Sequence, residues 1–491
     1  MKQRLVIFII TLLLLSNLGS IQAQNGYTPE IKWTECWDTI PTYLVDDGTV
    51  VCGYLFVPED RSQPDARTIS LAVAVMFPDG DSDDENEALV YLAGGPGGNA
   101  VAELEDWIGA PYLDERTLVL FDQRGTGYSE PSLNCPEFDA EDVNFPLEDC
   151  RDRLEDSGID LNMYNSRESA ADVADLRVAL GYDEWALYGI SYGTRLALTV
   201  MRDHPEGINA VILDAVYPPH VRFWEEYPAN TSAAFEHLFT ACAEDRRCNR
   251  AYPDLAEVFW ETVGRLNDRA GEYVSIDPDT GIETDARLSG DGLINEVYNL
   301  LYSTSRIPYL PQVIYAMADG QYAQLEALES GELLGFQAET DIEDSEGFYY
   351  SVECREEVPF LDLETALDNI ERRPRELYFN TEYFLYRIFD DCANWDVDEA
   401  DALENEPVRS DIPTLVAAGV FDPITPVRWA ESAAQYLPNS TLIVVPNGGH
   451  GVIDSDRCTV RIARAFLDQP TRPLDTSCVE EIDAPDWEVE D

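Results

Sequence analysis

"YGISYGTR" occupies residues 188–195. A short apolar run, "EWALYGI", leads into it, and a helical pattern, "YGTRLALTVMRDH", leaves it. Ser191 therefore sits at a direct join of strand to helix, flanked by Gly189 and Gly193. Glycine tolerates backbone angles that other residues avoid and leaves room for a close neighbour. A sharp strand-to-helix turn needs both properties. It holds the serine hydroxyl up at the carboxyl end of the strand, the arrangement of a G-x-S-x-G nucleophile elbow. A parallel sheet covered by helices is the setting in which such a turn is useful.

The pattern on either side supports that setting. The runs "VVCGYLFVP" and "TISLAVAVMF" read as an opening pair of strands. They are followed by "ALVYLAG", "TLVLFD", "WALYGI" and "AVILDAV", with helical stretches between. Strands alternating with helices imply a mostly parallel α/β sheet. After Pro219 the character changes. "FEHLFTACAED", "LAEVFWETVGRLNDRAG" and "LINEVYNLLYSTS" repeat apolar residues at three and four. Strand character returns at "PTLVAAGVFD" and "STLIVVPNGGH". The expected organisation is a core over 24–220 and 406–491, interrupted by a helical cap over 221–405.

The chain has 491 residues, 45% of them hydrophobic, enough to bury a large core. It opens "MKQRLVIFIITLLLLSNLGSIQAQNG". Lys2 and Arg4, an apolar run from Val6 to Leu15, and Ile21-Gln22-Ala23 are laid out as a secretory signal peptide over 1–23. The apolar run is short for a membrane span. Export to the extracellular space or periplasm is therefore expected, without membrane insertion after cleavage. Ten cysteines in an exported chain point to disulfides. Their spacing leaves the connectivity open; pairing of neighbours along the chain is expected, Cys36 with Cys52 through to Cys458 with Cys478. There is no C-x-x-C pair and no histidine beside them, so neither zinc nor another metal is expected, nor any cofactor. The 95 acidic residues against 32 Lys plus Arg give a formal net charge of −63, and Lys2 and Lys32 are the only lysines. Such a surface repels nucleic acid and anionic membranes. The acidic run "DGDSDDENEA" at 79–88 has Asp84 where a calcium loop needs glycine and Val90 where it needs glutamate, and reads as a polar loop.

A serine hydroxyl needs a base, and the base an orienting acid. On an elbow of this type the chain order is Ser, Asp or Glu, then His. Of four histidines, His204 lies beyond the elbow on its own helix, and His220 and His237 precede or enter the cap. His450, in "PNGGHG" after a late core strand, is the candidate base. Asp422 ends the run "TLVAAGVFDP" and is the candidate acid; Asp411 precedes that strand and Asp454 follows the histidine. Backbone N–H groups must meet the oxyanion of a tetrahedral intermediate. Tyr192, directly after the serine, is one expected donor. The other comes from "AGGPGGNA" at 93–100, with Gly95 the choice and Gly94 and Gly97 the alternatives.

"GGPGG" at 94–98, "FDQRGTGYSEP" at 121–131, "GISYG" at 189–193, "FDPITP" at 421–426 and "GGHG" at 448–451 stand in this order. Over nearly the whole mature chain they resemble the proline iminopeptidase and tripeptidyl aminopeptidase family of α/β-hydrolases. The resemblance implies an α/β-hydrolase fold with an inserted cap. It places Ser191, Asp422 and His450 at the family's triad and the GGPG loop at its oxyanion hole. The signal peptide, long cap and cysteines fit the secreted, tripeptidyl branch. Leu92-Ala93 precede the loop here, where the family has His or Asn-Pro. "DQRGTGYS" reads as structural, with Asp122 and Arg124 tying a turn.

The implied activity is release of residues or tripeptides from peptides with a free amino terminus, through an acyl-enzyme. An esterase or other small-acyl hydrolase is the alternative on the same residues, since fold does not fix substrate. A non-catalytic binding protein on a hydrolase scaffold is the remaining one. Recognition of an ammonium group calls for a carboxylate in the cap. "YYSVECREEVPF" at 349–360 offers Glu353, Glu356 and Glu357, and Cys354 anchors the segment if it is disulfide-bonded. The secreted relatives carry an acid two residues after a cap cysteine, where Glu356 stands. Glu356 with Glu353 is the expected pair; Glu225 and Glu226 are alternatives.

Overall fold

The strands that surround the elbow are apolar on both faces, and a sheet covered on both sides is what such strands demand. The computed structural model describes residues 27–63, 66–78, 87–114, 116–139, 147–276, 282–325 and 344–489. The expected signal segment and most of the acidic loop at 79–88 lie outside them. Among the described residues, nine strands form one sheet in the order β1-β2-β3-β5-β4-β6-β7-β10-β11. They are β1 (Glu30–Thr34), β2 (Val50–Pro58), β3 (Thr68–Met76), β4 (Ala88–Leu92), β5 (Thr117–Phe121), β6 (Trp185–Ile190), β7 (Ile208–Asp214), β10 (Thr414–Gly419) and β11 (Ser440–Val445). β1, β2 and β3 pair antiparallel at one edge, and β3 meets β5 antiparallel. From β5 to β11 every pairing is parallel.

Alternation along the central strands splits the core in two. Tyr91, Tyr188, Ile212 and Ala417 face one side, against Ile462, Ala463 and Phe466 of the helix Arg457–Asp468. Leu187, Val211, Leu213 and Val416 face the other. There they meet Val173 and Leu176 of α1 (Ser166–Leu180) and Leu196 and Val200 of α2 (Tyr192–Asp203).

The chain leaves β4 towards β5 on one side and returns to β6 on the other. The carboxyl ends of β4 and β6 therefore flank the point where strand order reverses, the place where open α/β sheets bind ligands. Between β7 and β10 lie α3 (Phe223–Glu244), α4 (Glu346–Glu356), α5 (Arg375–Trp395) and further helices. A two-stranded hairpin of β8 (Gly271–Ile276) and β9 (Glu283–Leu288) also lies there, which the helical spacing did not reveal. Phe235, Leu238, Phe259, Val263 and Leu293 give this region its own core. A second cluster, with Leu133, Tyr192, Tyr217, Phe348 and Trp429, seals it to the sheet.

Five disulfides join Cys36–Cys52, Cys135–Cys150, Cys242–Cys248, Cys354–Cys392 and Cys458–Cys478, the expected neighbour pairing. No helix among the described residues is long and apolar enough to cross a membrane.

Candidate active site

The turn after β6 is as tight as its glycines require. Ser191 has φ 54° and ψ −124°, a conformation that a side chain with a Cβ resists. A Cβ on Gly193 would overlap the carbonyl of Leu92, and one on Gly189 would overlap the carbonyl of Gly193. The strain is held from several directions. The Ser191 amide donates to the Asp214 carbonyl at 3.0 Å. The Thr194 hydroxyl donates to the Ser191 carbonyl at 2.6 Å and accepts from the Tyr217 amide at 2.7 Å.

His450 and Asp422 meet beyond the ends of β11 and β10. His450 Nδ1 lies 2.9 Å from Asp422 Oδ2. Asp422 is buried, and its other oxygen accepts from the Ile424 and Thr425 amides, each at 2.9 Å. The Thr425 hydroxyl donates to Oδ2 at 2.6 Å. The His450 amide donates to the Tyr302 carbonyl at 2.8 Å, and the two rings lie 4.7 Å apart. Burial disfavours the imidazolium, but the adjacent Asp422 carboxylate outweighs it, and the pKa of His450 is raised. The remaining histidines are occupied elsewhere. His204 ends α2, His220 bonds Ser432 at 2.8 Å, and His237 packs on Phe421.

The glycine-rich loop runs from β4 beside the elbow. A Cβ on Gly94 would stand 3.1 Å from Cβ of Ser191. Gly95 has φ 104°, open to glycine alone. The "DQRG" segment after β5 holds both ends of this loop. Gln123 Nε2 donates to the Ala93 carbonyl at 3.2 Å, and the Val101 amide donates to Asp122 Oδ1 at 2.9 Å. Asp122 also accepts from the Tyr128 amide. Arg124 bonds both oxygens of Asp172, at 2.7 and 2.8 Å. The segment is thus structural, as its reading anticipates.

A cavity of about 240 Å³ opens over Ser191. Gly95, Thr425 and Tyr302 line it, together with the rings of Tyr217, Phe223, Trp224, Tyr227, Tyr298, Tyr349 and Phe384. Among the described residues that line it, Glu353 supplies the carboxylate. Trp224 Nε1 donates to Glu353 at 2.8 Å. Burial first, and then the nearby Glu357, push its pKa up to about 8.

The expected glutamate pair is therefore split. Glu353 and Glu356 both lie on α4, but Glu356 is not among the residues lining the cavity. One of its oxygens accepts from the Ser166 amide at 2.8 Å. The other accepts from the Ser166 hydroxyl at 2.8 Å and from Arg195 Nε at 3.0 Å. Arg195, buried four residues after Ser191, also pairs with Glu357. Of the alternatives, Glu225 accepts from the Asp362 amide and Glu226 from Trp429 Nε1. Arg195 and Thr425 were missed at the sequence level. Arg195 sits on the buried stripe of α2, and burial of a lone arginine is itself a signal for paired acids.

A sheet with this order, an elbow at its switch point, and a histidine and aspartate beyond its later strands define an α/β hydrolase. The sequence model of the α/β hydrolase fold matches residues 87–456, and the chain belongs to that family. Serine protease Hip1 of Mycobacterium tuberculosis is 26% identical over 491 residues, covering 90% of this chain and 89% of that protein. The tripeptidyl aminopeptidase of Streptomyces coelicolor is 24% identical over 464 residues, covering 88% and 83%. A proline iminopeptidase of Xylella fastidiosa is 31% identical over 137 residues, 28% of this chain and 34% of that one.

Proposed function

We propose that the protein is an exported serine aminopeptidase that works through an acyl-enzyme. The observation that carries this reading is a cavity lined by both Ser191, on its strained elbow, and the buried carboxylate of Glu353. In this mechanism Ser191 Oγ attacks the scissile carbonyl. His450 takes the serine proton through Nε2 and returns it to the leaving amine. Asp422 fixes the tautomer by accepting from Nδ1 and supports the imidazolium. The amides of Tyr192 and Gly95 hold the oxyanion. Water then enters by the same route and releases the acyl group. Glu353 receives the substrate's ammonium group, and the aromatic walls bury the residue beside it. Glu356 and Glu357 neutralise Arg195, which leaves Glu353 free for the substrate.

An esterase is the second reading, favoured by the predominantly aromatic lining. A panel of free-amino, amino-blocked and tripeptidyl amides beside simple esters separates the two. Preference for free amino termini supports the proposal. Preference for blocked substrates or esters overturns it.

A further inference from the structure

One residue outside the proposed triad touches both halves of it. Asp214 is the last residue of β7 and is 1% exposed. Its main-chain carbonyl accepts from the Ser191 amide at 3.0 Å. Its carboxylate accepts from the Val452 amide at 2.9 and 3.0 Å and from the Ile453 amide at 2.9 Å. Those amides belong to the loop that carries His450. The same carboxylate accepts from the Tyr188 hydroxyl at 3.1 Å, on the strand that ends in the elbow.

We propose that Asp214 is a positioning residue that fixes the separation of Ser191 from His450, and that its buried charge supports the imidazolium beside that of Asp422. The inference rests on Ser191 and His450 being nucleophile and base. The loop that carries His450 contains Gly448, Gly449 and Gly451, so its own backbone is permissive and an external anchor is needed. A carboxylate accepts at both oxygens, so it meets these successive amides without turning a donor towards either. A shift of about 1 Å in a reacting group costs on the order of 10²-fold in rate, so the anchor matters to turnover. The groups facing Asp214 are Tyr188 on β6, Tyr91 on β4, and Tyr112 and Asp454. Tyr112 donates to Asp454 at 2.8 Å, so no cation among these groups offsets the Asp214 charge.

The test is Asp214→Asn in the full protein, beside Ser191→Ala and His450→Ala. An amide presents N–H groups towards amides that already donate, and it carries no charge. The expected result is a kcat lower by roughly 10- to 100-fold, a KM little changed, and an acid limb of the pH–rate profile moved to lower pH. A folded variant with wild-type kcat and an unmoved limb overturns the inference. If Asp214→Asn does not fold, Asp214→Glu keeps the charge and displaces the loop. It should lose kcat with the acid limb in place, and wild-type kcat in that variant overturns the inference equally. Activity retained in Ser191→Ala or His450→Ala would instead overturn the assignment on which the inference stands.

Discussion

His450 Nδ1 lies 2.9 Å from Asp422 Oδ2, although 28 residues separate them in the chain. The contact is made because β10 and β11 are adjacent and parallel, with Gly419 opposite Val445 at their ends. Asp422 follows three residues beyond one strand and His450 five beyond the other. The carboxylate is saturated by Thr425 and two amides, so it cannot swing away from the ring. Nδ1 is thereby committed to donating, and Nε2 is the nitrogen left for the base role proposed for His450.

The pH–rate profile should rise through one ionisation that lies above the ordinary histidine value of about 6.5. Burial favours the neutral ring, but the Asp422 carboxylate outweighs it and raises the pKa. The base must be neutral to accept a proton, so activity is lost below that pKa and gained above it. The same raised pKa contributes stability that is present below about 6.5 and lost as pH rises through the folded value. Measurement of kcat/KM from pH 5 to 9 on a small ester, which does not engage Glu353, checks this; a flat profile with chemistry rate-limiting contradicts it.

Ser191→Ala should lower kcat by at least about 10⁴-fold, the scale seen when a nucleophile is removed from a unit of this kind. Its φ stays at the strained value, so Tm should hardly move. Ser191→Gly should be equally inactive but more stable by about 1 kcal/mol, because glycine accepts the positive φ. Turnover assays and thermal melts of the two variants separate loss of chemistry from loss of fold.

Most of the core strands were legible because each is a short apolar run closed by a turn signal. β1 was not, since "EIKWT" carries Glu30 and Lys32 and is largely exposed at the sheet edge. The hairpin β8–β9 was hidden for the same reason, with Glu272, Glu283 and Asp285 along strands that bury little. His450 was singled out by elimination among four histidines and Asp422 by its place after a strand, and the structure brings the two side chains together. The direction of a glutamate on α4 was not. Glu353 and Glu356 are three apart and lie near the same face. Which one meets the cavity is decided by Arg195 and Ser166, on helices distant in sequence.

Glu353→Gln should raise KM for free-amino peptides by about 10- to 100-fold and leave small esters nearly untouched. An ammonium group buried against a neutral amide loses its charge partner, and that loss is large in a dry site. Burial, and then Glu357, raise the Glu353 pKa from 4.5 to about 8, so the empty site holds a proton at neutral pH. Binding of the ammonium must release that proton. KM for free-amino substrates should therefore fall as pH rises towards 8, until the substrate amine itself deprotonates. The fold should also become less stable across the same window, because the unfolded chain ionises first. Glu353→Gln should be the more stable protein at pH 8, as urea titration at two pH values will reveal.

Glu356→Ala should behave differently from Glu353→Gln in every respect. Glu356 is buried among Ser166 and Arg195 and does not line the cavity. Its removal leaves a buried guanidinium with Glu357 as its remaining ionic partner and strands the Ser166 amide. Breaking a buried pair in this way costs about 3–5 kcal/mol. The loss should appear as a lower Tm and a lower urea midpoint. Activity should fall on peptides and esters alike, since Arg195 lies on the helix that begins at Ser191, the proposed nucleophile. A Glu356→Ala protein of wild-type stability that loses free-amino peptides alone would return the ammonium site to Glu356 and remove it from Glu353.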